Sequence, residues 1–427
     1  MKLKTETENG VKQTDIGLIP EDWEAVNIDD FVKFQRGSEP GRSNYNKEMK
    51  GVRFLRVVDV SGSREDEIYT TAENIKLCTE KDILITLDGS PGIIRKGLSG
   101  AYSSGIRKIV FTDKDLNQDY TYFVLQNDFV KKIIEKHTTG ITIKHSSKAI
   151  PYIKIPLPSL LEQQEIAFVL SKLQQAIDRQ KKIIAKTKEL KRSLMHRLFT
   201  YGLRGEELKE TEIGLMPKSW TVVRLRDYVE LITKGSSPNW QGFEYCQGGI
   251  TFVRSQNIGW GDLLLNEVQH LPESFNKKEK KSIIKENDVL VNLVGASIGR
   301  VAIATKVIEG GNLNQAVAIV RLRLNSFTPK FLVQYLLTQM GQKQIHLNKK
   351  EIARANISLQ DVNNFLVVRP EMEEQEEISQ TLKAVDDKIN RAYLRHNKLS
   401  ELFKSMLQLL MTGQVRVKDI DFGEINV

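Results

Sequence analysis

Cysteine is scarce in this chain. Cys78 and Cys246 are the two present among 427 residues, too few for a disulfide framework or a zinc cluster, so a reducing cytoplasm is the expected compartment. No apolar run reaches the roughly 20 residues that a membrane helix needs, and Met1 to Gly10 is polar and carries acids where a signal peptide would be apolar. A Gly-x-x-x-x-Gly-Lys-Ser/Thr loop is missing, which excludes a P-loop ATPase or helicase motor. The six histidines (137, 145, 196, 270, 346 and 396) show no ligand spacing. Carboxylate pairs occur only as they must in any charged chain. No catalytic constellation, metal site or cofactor site is expected.

What is present describes an ordinary water-soluble chain, 27% charged and 40% hydrophobic, long enough for two or three domains with cores of their own. A formal net charge of +9 points weakly towards a polyanion.

The strongest pattern occurs twice. Pro158-Ser159-Leu160-Leu161-Glu162-Gln163-Gln164-Glu165-Ile166 returns as Pro370-Glu371-Met372-Glu373-Glu374-Gln375-Glu376-Glu377-Ile378. After the second copy, Ile378, Leu382, Val385, Ile389, Ala392, His396, Leu399, Phe403, Met406 and Leu410 alternate steps of four and three, the seam of a left-handed coiled coil. The first copy keeps register through Ile166, Leu170, Leu173, Ile177, Gln180, Ile184, Thr187, Lys191, Leu194 and Leu198, with polar intruders late in the seam and Leu190 as a slipped alternative. At 1.5 Å per residue each helix is roughly 60 Å long. One apolar stripe cannot stand alone in water, and the first helix is rich in Lys and Arg where the second opens on Glu. The pattern predicts one intramolecular, antiparallel pair.

The repeat extends beyond the helices. Thr14-Asp15-Ile16-Gly17-Leu18-Ile19-Pro20-Glu21-Asp22-Trp23 returns as Thr211-Glu212-Ile213-Gly214-Leu215-Met216-Pro217-Lys218-Ser219-Trp220. Arg36-Gly37-Ser38 is echoed by Lys234-Gly235-Ser236, and Phe54-Leu55-Arg56 by Phe252-Val253-Arg254. A globular domain followed by a long helix is therefore used twice. Short β-branched runs predict strands at Ile83–Leu87, Lys108–Phe111, Val289–Val294 and Val317–Leu322, with a helix at Tyr120–Glu135 and its equivalent at Pro329–Gln344. The expected fold is α+β: two pseudo-repeated domains separated by two long helices, a pseudo-two-fold dumbbell. The boundaries are residues 1–157 and 203–369 for the domains, 158–202 and 370–413 for the helices, and 414–427 for a C-terminal tail.

Asp88-Gly89-Ser90-Pro91-Gly92 and Gly295-Ala296-Ser297-Ile298-Gly299 are faintly similar to the glycine loop of S-adenosylmethionine methyltransferases. No Asn-Pro-Pro or Asp-Pro-Pro tetrapeptide accompanies them, and a turn with exposed amides is the better reading. Two polar loops at matching places are more informative. One carries Gln35, Arg36, Ser38, Arg42 and Asn44; the other carries Lys234, Ser236, Ser237, Asn239 and Gln241. Such side chains fork to base edges and phosphates, and the intervening glycines allow close backbone approach. Arg56, Asp59, Arg95, Lys96 and Lys144 in the first domain, with Arg254, Asn257, Arg300, Gln315 and Arg354 in the second, are further candidates for contacting nucleic acid.

The paired Thr-x-Ile-Gly-x-x-Pro-x-x-Trp openings and Pro-x-x-x-Glu-Gln-x-Glu-Ile helix starts resemble the specificity subunits of type I restriction–modification systems. Thr139-Gly140-Ile141-Thr142-Ile143-Lys144-His145-Ser146 is similar to the family as well, whereas Lys350-Glu351-Ile352-Ala353-Arg354-Ala355-Asn356-Ile357-Ser358 departs from it. The resemblance covers nearly the whole chain. It implies two target-recognition domains reading the halves of a split, asymmetric sequence in double-stranded DNA. It implies helices that set the spacing and dock two adenine methyltransferase subunits, restriction subunits that join them, no catalysis by this chain and no membrane. Competing readings are a specificity protein of another restriction–methylation type, a coiled-coil scaffold for proteins, and a self-sufficient methyltransferase, which the missing tetrapeptide disfavours.

Overall fold

A computed structural model describes residues 10–63, 66–347 and 356–420. Its contacts divide the chain into two compact units: Met1–Lys181 together with Leu394–Val427, and Lys182–Tyr393. Each unit thus holds one globular domain and part of each long helix (Leu160–Tyr201 and Met372–Met411).

The two domains repeat the same four-stranded sheet. In the first unit a four-stranded antiparallel sheet runs in the order Ile94–Arg95, Leu84–Thr86, Ile106–Phe111, Val32–Arg36. In the second the order is Val301–Ile303, Val289–Asn292, Val317–Leu322, Val229–Lys234. Each has a second sheet containing one parallel pair, five-stranded in the first domain with Phe54 beside Ala101, three-stranded in the second with Phe252 beside Asn312. Each also pairs an early strand with the strand entering its long helix, Glu24–Asn27 with Lys154–Leu157 and Thr221–Arg224 with Leu366–Arg369.

Strand periodicity explains the two layers. Val289 and Val291 enter the core shared with the long helices, while Leu290 between them faces the core under the smaller sheet. In the first unit Ile83, Ile85 and Leu87 face the helical core, and Leu84 faces Leu55, Val60 and Tyr102. Successive side chains on a strand point to opposite faces, so a strand apolar at nearly every position is buried on both sides.

Two short helices replace the single one expected in each domain. Gln118–Val124 and Asp128–Lys136 are separated by Asn127, whose buried side chain accepts the Phe129 N–H and so caps the second helix. Pro329–Leu336 and Gln339–Leu347 are broken at Thr338, whose hydroxyl donates back to the Tyr335 carbonyl and accepts the Gly341 N–H.

The long helices pair antiparallel within each unit. In the first, Ile166, Leu170 and Leu173 share a core with Phe403, Met406 and Leu410, the start of one helix against the end of the other. In the second, Leu194 and Leu198 share one with Ile378 and Leu382. Ile177, Ile184, Ile389 and Ala392 are buried, and Val385 and Leu399 are partly so. Where the seam offered two registers, Thr187 is buried with its hydroxyl donating to the Ile183 carbonyl, and Leu190 is 54% exposed. A threonine that satisfies itself on its own helix sits in the seam without an orphaned polar group. Complementary charge contributes through Lys191, paired with Asp386 at 2.6 Å.

The repeated motifs meet where each domain joins its helices. Trp23 Nε1 donates to Glu162 at 3.0 Å, and Trp220 Nε1 donates to Glu374 at 3.0 Å. The neighbouring glutamines do matching work: Gln163 donates to the Pro158 carbonyl and accepts the Asn117 N–H, while Gln375 donates to Pro370 and accepts Thr328 N–H. Both indoles are essentially fully buried. Burying roughly 150–250 Å² of ring at about 25 cal/mol per Å² is worth about 4–6 kcal/mol before entropy. Each junction is closed by the end of the opposite helix. Gly413 (φ +67°) lies against the Pro20 ring, and Gly202 (φ +62°) lies against Pro217 and Trp220. Arg416 completes the first junction, bridging Asp22 and Glu162 and lying over the Trp23 ring. In the second, the Leu203 N–H donates to Glu374, and Arg204 pairs with Glu377. The motifs that carry the resemblance therefore hold the domains on the helices.

Candidate nucleic-acid interface

The polar loops gather at one end of each four-stranded sheet, around a turn that glycine alone allows. A Cβ on Gly37 would overlap the carbonyls of Tyr102 and Ser103, and one on Gly235 those of Leu313 and Asn314. The Arg-Gly-Ser and Lys-Gly-Ser repeats thus bring two loops into backbone contact in each domain.

In the first domain this turn is a hub. Arg36 Nε donates to the Ser104 carbonyl at 3.3 Å, Gln35 accepts the Tyr102 hydroxyl at 2.9 Å, and Ser38 Oγ accepts the Lys76 N–H at 2.9 Å. Glu39 accepts both the N–H and hydroxyl of Ser104 and also the Tyr45 hydroxyl. Arg42 and Asn44 lie on an exposed turn, with Asn44 donating to the Pro40 carbonyl. Behind them Asp88 joins His145 (2.7 Å) to Arg107 (3.2 Å), and Arg107 donates to Ser147 at 2.7 Å. Burial works against the Arg107 charge while Asp88 supports it. This network fastens the loop carrying Lys144, which also pairs as a strand with Asp88-Gly89. Neither the network nor Glu39 is visible from local sequence, since the network's members are contributed by three separate segments and Glu39 by a fourth.

The second domain repeats the frame with different chemistry. Lys234, Asn239 and Gln315 are exposed, and Ser236, Ser237 and Arg300 are half-buried. Gln241 donates to Ser236 Oγ and to Glu279. Asn292 reaches across to the Ser255 carbonyl at 2.8 Å. Arg354 lies outside the described residues.

Arg56 and Arg254 occupy the same position in the repeat and differ in charge balance. Asp59 caps the Arg56 N–H and pairs with its guanidinium at 2.9 Å, and Asp66 adds a second carboxylate. The Asp59 hydrogen bond is the main cause that raises the Arg56 pKa. In the second domain buried Asn257 accepts the same backbone N–H, and Arg254 donates only to the Glu267 carbonyl among the described residues. Asp59 thus holds both the backbone and the guanidinium of Arg56, whereas Asn257 holds only the backbone of Arg254, whose charge meets no carboxylate among the described residues.

Arg95 and Lys96 lie away from these hubs, beside the strand Leu84–Thr86, and Lys96 pairs with Asp119 in the first turn of Gln118–Val124. The glycine turns do not form open anion cradles. Gly92 and Ile93 N–H donate to the backbone and side chain of Thr86, and Gly299 N–H donates to Asn292. Among the described residues there is no group of His, Cys, Asp and Glu able to hold a metal, and no helix long and apolar enough to cross a membrane.

Comparison with known proteins agrees with this geometry. A family model described as Type I restriction modification DNA specificity domain matches residues 20–189 and again 217–399. The chain is similar to the Type I restriction enzyme MjaVIII specificity subunit of Methanocaldococcus jannaschii, 29% identical over 416 residues covering 95% of either chain. It is similar to the Type I restriction enzyme EcoBI specificity subunit of Escherichia coli, 24% identical across 99% of this chain and 93% of that one. The crystal structure of a type I restriction–modification S subunit from M. genitalium has a TM-score of 0.61 at 15% identity, covering 96% of this chain and 99% of its own, a likeness of fold.

Proposed function

Because this chain belongs to the type I restriction–modification DNA specificity family, we propose that its two domains, residues 1–157 and 203–369, each read one half of a bipartite, asymmetric DNA target. The paired helices set the spacing and dock two adenine methyltransferase subunits, to which restriction subunits are added. Methyl transfer and ATP-dependent cleavage belong to those partners, and this chain supplies the address.

The observation that carries the reading is the division of labour inside each unit. The junction residues do the same work in both copies: tryptophan on glutamate, glutamine across the helix start, glycine at the helix end. The loops at the sheet end differ in charge and shape although their frame is shared. A common scaffold with divergent polar loops fits recognition of two different half-sites, because phosphate contacts position a protein and base-edge contacts specify it. Arg36, Arg42, Lys144, Lys234, Arg254, Arg300 and Gln315 are proposed to meet DNA. Asp59, Asn257, Ser236 and Gln241 are proposed to orient their neighbours.

The spacing role is tested by deleting one heptad from both helices and mapping methylation. At 1.5 Å per residue and about 3.4 Å per base pair, the recognised spacer should shorten by about three base pairs. An unchanged spacer overturns the ruler.

A further inference from the structure

Resting on the reading of the second domain as a DNA-binding unit, we propose that Trp240 is a base-stacking residue, its indole entering the duplex at the half-site which that domain reads.

Trp240 is 93% exposed, whereas Trp23 and Trp220 are 1% and 0% exposed. Among the described residues no hydrogen bond, ring stack or cation contact engages its indole. A side chain presenting roughly 150–250 Å² of ring to water contributes nothing to folding. Its support, by contrast, is rigid. The N–H groups of Gln241 and Phe243 both donate to the Pro238 carbonyl, at 2.9 and 3.0 Å. The Gln241 amide is tied to Ser236 and Glu279. Phe243 packs edge-on against Phe275 at 5.2 Å, and Phe275 against Phe252 at 5.8 Å, rooting the turn in a small core. The indole is thus held out on a preorganised turn.

The surroundings select the occupant. Lys277, Lys278, Lys280 and Lys281 are exposed and form no ion pair among the described residues, and Lys278 Nζ reaches the Gln241 carbonyl at 3.4 Å. An exposed aromatic ring on a turn flanked by Lys278, whose Nζ also lies 5.5 Å from the Phe243 ring, with three further exposed lysines close to it in sequence, suits a polyanion whose bases offer π-faces, with lysines on phosphates and the ring on a base. The matching turn of the first domain, Arg42–Asn44, carries no aromatic, and the Tyr45 that follows is folded back onto Phe54 at 5.0 Å. Stacking at this turn is a property of the second domain alone.

The test uses the chain assembled with its methyltransferase subunits. The probes are a fluorescein-labelled duplex carrying the mapped methylation motif and duplexes with either half scrambled. Trp240→Ala should bind the motif duplex roughly 5- to 150-fold more weakly, the range seen when base–aromatic stacks are removed. Scrambling one half-site, and not the other, should erase that difference. Trp240→Phe should retain most of the affinity. In a Trp260→Phe background, which removes the other exposed indole (Trp260, 55% exposed), DNA should quench the emission of Trp240. If wild type discriminates between the duplexes but Trp240→Ala binds the motif as tightly, the inference fails and the proposed function stands. If wild type does not discriminate, both fail. If Trp240→Ala instead loses the methyltransferase on purification, Trp240 is a protein contact and the inference is overturned. Should Trp240→Ala fold poorly, Trp240→Phe binding and the quenching decide.

Discussion

Gly413→Ala should damage the first junction more than Gly202→Ala damages the second. Both glycines have left-handed φ, near +67° and +62°, where an L-residue costs about 1–2 kcal/mol. What differs is the wall each methyl meets. At Gly413 it overlaps the Pro20 ring, which is held in a strand pair with Val11. A rigid overlap of this kind costs about 1–3 kcal/mol. At Gly202 the atoms stand farther off, Glu374 Oε1 at 2.9 Å and Pro217 Cγ at 3.0 Å, so a shift of a few tenths of an ångström admits the methyl even though Glu374 is hydrogen-bonded and Pro217 is strand-paired with Leu208. The expected losses are therefore about 2–5 kcal/mol for Gly413→Ala and about 1–2 for Gly202→Ala. Hydrogen exchange of residues 10–27 and 208–224 reads each junction separately, the other serving as internal control. Pro20→Ala removes the ring atoms, so the double variant Gly413→Ala/Pro20→Ala should recover the steric part and leave the backbone part, a coupling of about 1–3 kcal/mol. Equal losses at the two sites, or no coupling with Pro20, would refute this account of how the junctions close.

Arg254→Ala should weaken DNA binding and reduce the slope of log affinity against log salt by about one. Arg56→Ala should leave that slope unchanged and lower stability, because two carboxylates already match its charge; salt titrations of both variants decide. The hydrogen bond from Arg416 holds the Asp22 carboxyl below its ordinary value, against a smaller opposing effect of burial. A pKa lower in the folded than in the unfolded chain gives stability that is complete above about pH 4 and is lost as pH falls through the depressed value. Urea midpoints followed downward through that window should fall more steeply for wild type than for Arg416→Ala. Burial pushes the Cys78 thiol up to about 11, while Cys246 is exposed. A thiol reagent should therefore modify Cys246 alone in the native protein and both cysteines in urea.

How much was legible follows from the range of each signal. The helical seam could be read because a period of 3.5 repeats locally, and even its polar members fall at buried or half-buried positions. Thr187 against Leu190 could not be decided locally, since the choice turns on what the facing helix admits. The break at Asn127 was written in its Asn-Asp pair, an N-cap followed by an acid in the first turn. A continuous apolar periodicity concealed it. The partners Trp23 and Glu162, 139 residues apart, and Trp220 and Glu374, 154 apart, belong to motifs plain in the sequence. Their meeting was not, because no local pattern encodes long-range contact. The same holds for strand order, including the parallel pairs at Phe54 and Phe252. Among the loop candidates, residue type alone could not separate Arg56, neutralised by Asp59 and Asp66, from Arg254, whose neighbouring position holds an asparagine.

The central claim is that two unlike domains on one pair of helices read two unlike half-sites. Co-expressing the chain with its methyltransferase and mapping adenine methylation across the host genome by single-molecule sequencing tests it most directly. The expected result is a split motif with unequal halves and a fixed spacer. An active, co-purifying methyltransferase that leaves no split motif would contradict it and return the chain to the role of a protein scaffold.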